Sequence, residues 1–124
     1  HGTTYSSPYL SFVPKELYTN YLQGSYYAPL DKLTSAQRSL FLGAFGGQAS
    51  YPFVDFGGNV ELKGAQYEFT PFENQSFSAV AAQMGNNSTT IGSEVDAGAK
   101  ILVQELCTLS HGQPGTVCSG ITNG

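Results

Sequence analysis

A proline stands at the mouth of the most strand-like stretch of this chain, ASYPFVDFGG, residues 49–58. That position limits what the stretch can become. Proline removes one ladder donor, so a strand that opens on it lies at a sheet edge or follows a special bend, often a cis peptide bond. After it come PFVDF, a turn at Gly57-Gly58-Asn59, and VELKG. Two short apolar runs joined by a Gly-Asn turn predict an antiparallel hairpin.

The flanking elements are read from capping and periodicity. YLSFV, residues 9–13, is aromatic and β-branched and predicts a strand closed by Pro14. Residues 18–31 hold four tyrosines, a glycine and a proline with no clear period, which reads as loop. Thr34 and Gln37 have capping-box spacing and open a helix that Gly46-Gly47 stop, with Leu40, Phe41 and Phe45 on its buried face. A second helix is expected over 75–84, burying Phe77, Val80, Ala81 and Met84 and ending at Gly85. A third is expected over 91–109, capped by Thr90, with Ile91, Val95, Leu102, Leu106 and Leu109 on one stripe. Gly92 and Gly98 would let it approach another element closely. The order strand, helix, strand, strand, helix, helix implies an α/β fold with a parallel step before the hairpin. At 124 residues the chain is read as a single domain, 1–124, or part of one.

Charge narrows the partners. Only 11% of residues are charged, against about 25% in a typical soluble domain. The net charge is −4, with no basic stripe to meet phosphates, so nucleic acid is not an expected partner. No apolar run approaches the roughly 18 residues of a spanning helix. The opening HGTTYSSPYLSFV has no initiator Met and no basic leader, and predicts a processed form or a piece of a longer protein.

Cys107 and Cys118 are too far apart for a Cys-x-x-Cys redox pair, and two cysteines are too few for a structural zinc site. A disulfide tying the tail to the last helix is expected. A loop of that length is worth about 3 kcal/mol by the chain-entropy argument. It implies an oxidising compartment. Three N-glycosylation sequons, at Asn74, Asn86 and Asn87, agree with export.

Catalytic constellations are thin. His1 and His111 are the two histidines, and an amino-terminal histidine with a second imidazole can chelate copper. Their spacing does not support that reading, and no metal or cofactor is implied. Asp55 is the one charge in PFVDFGG; it is read as pointing outward rather than as a buried proton-transfer acid. Glu61 and Lys63 share a strand face and are expected to pair weakly. Tyr5, Tyr9, Tyr18, Tyr21, Tyr26 and Tyr27 form the densest unusual feature. They read either as a contact surface for subunits or glycans, or as a cover over the sheet.

The strand–helix–Pro–hairpin order resembles the second part of a thioredoxin fold, where the matching proline is cis and faces the active-site cysteines. The resemblance implies a cis Tyr51–Pro52 bond, with Pro52 opening a central strand. More closely, SSPYLSFVPKE, LTSAQRSLF, YPFVDFGGNVELKGAQY and LCTLSHGQPGTVC are similar to the C-terminal part of an uncharacterised family of exported, thioredoxin-like proteins from thermoacidophilic archaea. The likeness runs through nearly the whole chain. It implies a partial thioredoxin-like fold and an extracellular or cell-surface location. The family's N-terminal strand and Cys-x-x-Cys helix have no counterpart in this sequence, so disulfide exchange is not expected.

Two function classes follow. One is a redox-inactive structural or interaction module, self-assembling on the cell surface or as a filament. The other is the C-terminal part of a thiol-disulfide oxidoreductase with its catalytic portion elsewhere. In either case the resemblance leaves a gap between residues 9–13 and 52–56. A missing N-terminal portion, a strand from another copy, or direct pairing of the two segments is expected to fill it.

Overall fold

The computed structural model of the chain describes residues 5–121. It is a mixed α/β structure with two small antiparallel sheets and four helices, and the chain divides into two compact units, His1–Ala49 and Ser50–Gly124.

In the first unit β1 (Tyr18–Gln23) and β2 (Tyr26–Pro29) form a hairpin around Gly24-Ser25, with Leu22 opposite Tyr27 and Gln23 opposite Tyr26. Gly24 takes the positive φ that so tight a turn requires. This corrects the reading of residues 18–31 as loop. Two β-prone runs separated by a Gly-Ser pair are a hairpin signal that helical periodicity cannot reveal. The base of the hairpin is closed by Leu30 N–H to Leu17 O at 2.9 Å and Asp31 N–H to Glu16 O at 2.8 Å.

Helix α1 (Ser35–Ala44) begins as its capping box dictates. Thr34 Oγ1 accepts from Gln37 N–H, and Gln37 Oε1 accepts from Thr34 N–H. Phe41 is buried and meets Phe45 edge-to-face at 5.7 Å, while Leu40 is exposed. Residues 9–13 are not a strand. Their β-propensity finds no ladder, and Tyr9, Phe12 and Val13 are exposed. Propensity for a strand is a preference for a half-buried pleated surface, and without a partner it is not realised.

In the second unit β3 (Phe53–Phe56) and β4 (Val60–Lys63) form the expected hairpin, in register from Phe53 opposite Lys63 to Phe56 opposite Val60. The Tyr51–Pro52 bond is cis, as is Gln113–Pro114. Pro52 is exposed and precedes β3, and its carbonyl accepts from Gly64 N–H at 2.8 Å. No central strand begins there. Each sheet has two strands, both antiparallel, so the parallel step and the direct pairing of 9–13 with 52–56 are absent from the described residues.

A short 3-10 turn at Thr70–Phe72 leads to α2 (Phe77–Gln83), capped by Ser76. Contrary to the expected buried stripe, Phe77 is 91% exposed and Ala81 and Met84 are exposed too. Helix α3 (Thr90–Leu109) is capped by Thr89 rather than Thr90, because Thr89 Oγ1 accepts from Gly92 N–H at 3.0 Å. Ile91 is buried, but Leu102 and Leu106 on the expected stripe are exposed. A short helix α4 (Gly115–Cys118) closes the fold.

The core of this unit depends on backbone approach. A Cβ at Gly92 would meet the carbonyl oxygens of Asn86 and Gln83, and one at Gly98 would lie 2.8 Å from the Gln66 carbonyl oxygen. A Cβ at Gly43 in α1 meets nothing within 4 Å. Alanine is favoured over glycine in a helix by about 1 kcal/mol, whereas overpacking costs roughly 1–3 kcal/mol or more. Gly43→Ala is therefore expected to raise the denaturation midpoint and Gly92→Ala to lower it. Urea titrations of the two variants compare the signs; equal shifts would refute the close approach at Gly92.

Candidate functional site

The two cysteines are joined: Cys107 on α3 and Cys118 on α4 form a disulfide with Cα atoms 5.5 Å apart, and both are 3% exposed. The loop they close is organised from within. The chain leaves α3 through Gly112 N–H to Cys107 O at 2.8 Å, a C-terminal capping bond. Ser110 is buried, and its hydroxyl donates to Gln113 O at 2.6 Å while accepting from Gln113 N–H at 3.2 Å. His111 sits in this loop with φ 55° and is exposed. His1 lies outside the described residues. Among the described residues, no group of three or more His, Cys, Asp or Glu is placed to hold a metal ion.

The other candidate groups have structural partners. Asp55 is exposed, and its carboxylate accepts from Gly58 N–H at 3.1 and 3.2 Å, which pins the β3–β4 turn. Lys63 and Glu61 pair at 3.5 Å on the partly exposed face of β4, a geometry worth at most about 1 kcal/mol. Glu94 accepts from Glu68 N–H at 3.1 Å, and Asp96 takes both Lys100 at 2.7 Å and Asn87 Nδ2 at 3.2 Å.

All three sequon asparagines are exposed. Asn74 adopts φ 61°, and Asn86 Oδ1 accepts from Ser88 N–H at 3.1 Å. The third residues of the Asn74 and Asn87 sequons, Ser76 and Thr89, are the N-caps of α2 and α3. Helix capping thus explains a hydroxyl at each of those positions without reference to glycosylation.

What remains is aromatic surface. Among the described residues twenty large apolar or aromatic side chains are exposed, against five apolar residues that are buried. The six tyrosines singled out in the sequence are all among the exposed, and Tyr26 and Tyr21 reach 81% and 79%. A concavity of about 490 Å³ is lined by one continuous segment, from Tyr5 to Phe12, whose rings meet edge-to-face at 5.9 Å. No acid–base pair or nucleophile–base pair converges on it. No helix among the described residues is long and apolar enough to cross a membrane.

Comparison of the chain with family models, with curated proteins and with solved structures found no match.

Two outcomes test these assignments. Intact mass under non-reducing conditions is expected to fall two hydrogens short of the fully reduced chain. Reduction is expected to lower stability by about 3 kcal/mol; thiols that alkylate freely in the native protein would contradict the bond. Asp55→Ala is expected to lower stability by about 1 kcal/mol through the lost turn bond. In that variant, unchanged amide exchange at Gly58 would remove Asp55 from that role.

Proposed function

We propose that this chain is an exported, redox-inactive, thioredoxin-like structural and interaction module that self-associates at the cell surface or in an extracellular filament. The observation that carries the reading is the apolar exposure of both units. A contiguous exposed apolar patch beyond a few hundred Å² marks an interaction surface. Among the described residues, the exposed large apolar and aromatic side chains in each unit outnumber the apolar residues buried there.

Supporting the redox-inactive part, both cysteines are engaged with each other and there is no free cysteine among the described residues. A thiolate nucleophile needs an accessible, electropositive setting, and a buried disulfide supplies none. An oxidising compartment is compatible with that bond. The thioredoxin-like relationship is supported by the run of α1, the β3–β4 hairpin and α3 packed on β3, in the order expected of the second part of that fold. The low charge lets copies of one acidic chain approach with little repulsion.

Sedimentation velocity over a wide concentration range tests the reading. A sedimentation coefficient that rises with concentration is expected. A species of monomer mass at every concentration would overturn self-association. It would favour cover of the aromatic surface by further polypeptide of the same protein.

A further inference from the structure

The β1–β2 hairpin is an unusual object to leave in water. An isolated two-stranded hairpin is marginal at best, and normally needs a third strand or a helix against one face. Cross-strand partners and residues two apart share a face. The register therefore puts Leu22 with Tyr27 on one face and Gln23 with Tyr26 on the other, while Tyr21 falls in the irregular stretch of β1. Both faces are exposed: Tyr18, Tyr21, Leu22, Tyr26 and Tyr27 are each more than half accessible. From Tyr18 to Pro29 there is no charged residue, in a chain whose net charge is −4.

The edges tell a different story from the faces. β1 is irregular between Tyr18 and Leu22. There Thr19 Oγ1 accepts from Tyr21 N–H at 3.1 Å and donates to Tyr21 O at 3.3 Å, so the strand satisfies its own groups locally. β2 ends on Pro29, which has no N–H to offer. Bulges and prolines of this kind blunt an edge against strand addition.

We propose that this hairpin is the self-association element, and that it acts through its faces: hairpins of neighbouring copies of this chain stack side chain on side chain, without extending a sheet. The proposal rests on the self-association reading above and gives it a location. Area supports a second copy as the occupant. A tyrosine presents roughly 200 Å², so the four tyrosines and Leu22 at their observed exposures offer roughly 650 Å² before Asn20, Gln23 and Ser25 are added. A standard specific contact takes about 800 Å² from each partner. One face supplies roughly half of that, so a single contact is weak, and neighbours on both faces together reach the standard size. Charge supports the same occupant. Copies of an acidic chain repel wherever their carboxylates face one another, and this uncharged surface avoids that. Two usable faces on one element allow a neighbour on each, which builds an open array rather than a closed dimer.

Face-selective variants test this. Gln23→Lys with Tyr26→Lys blocks one face, and Leu22→Lys with Tyr27→Lys blocks the other. Each pair is expected to stop growth at a dimer in sedimentation and negative-stain images. All four changes together are expected to give monomer and weaken association at least tenfold, while Tyr21→Phe with Tyr26→Phe assembles as the parent does. A measurement on the unaltered chain guards against misfolded variants. Oxidative tyrosine cross-linking with peptide mapping is expected to join hairpin peptides of different copies. If the parent assembles but its cross-links map elsewhere, or the face variants assemble normally, the hairpin assignment is overturned and self-association stands. A parent chain that is monomeric throughout overturns both.

Discussion

Helix α3 meets its surroundings through missing side chains. At Gly92 the helix lies against the carbonyls that end α2 and begin the following turn, and at Gly98 against the carbonyl of Gln66. Those two contacts bring the backbone of the second unit to within van der Waals distance of the helix. α2, α4, β3 and the 3-10 turn each contact α3. The apolar yield is small: Phe56, Ile91 and the two half-cystines are the buried apolar side chains of this unit among the described residues. Close backbone approach and one covalent bond do work that a larger core would otherwise do.

The disulfide and Ser110 extend the same economy to the end of the fold. A loop closed by Cys107 and Cys118 could be floppy, yet Ser110 is buried and bonded twice to Gln113, and Gly112 caps α3. The bond is therefore a structural staple set in an ordered turn. Its burial separates it from the exposed, exchangeable disulfides of redox chemistry. The chain's exposed chemistry is instead aromatic and neutral, concentrated in the β1–β2 hairpin and on α2, where Phe77 stands almost fully in solvent.

A lightly charged surface rich in tyrosine is a coherent physical strategy for association. Tyrosine contributes large contact area for little lost conformational freedom, and its hydroxyl keeps the free surface hydrated. Blunted strand edges restrain unlimited sheet extension while leaving the faces available. These features together connect the hairpin's sequence, YTNYLQGSYYAP, to the assembly proposed for it without requiring any catalytic group.

Local signals in the sequence were sufficient wherever the cause of an element is itself local. The Thr34–Gln37 capping box, the Gly57-Gly58-Asn59 turn, the extent of α3 and the outward Asp55 each depend on neighbours within a few residues, and the structure has them. The cysteine pairing was legible because two cysteines leave one intramolecular choice. Tertiary structure alone decided the rest. Residues 9–13 have strand propensity but no partner to pair with, while the tyrosine-rich run after them folds back on itself around Gly24-Ser25. The helical stripes on α2 and α3 follow the right period, yet Phe77, Leu102 and Leu106 stay exposed. Periodicity specifies which side chains share a face; whether that face is buried depends on what else is brought against it, and that is a property of distant residues or of another molecule.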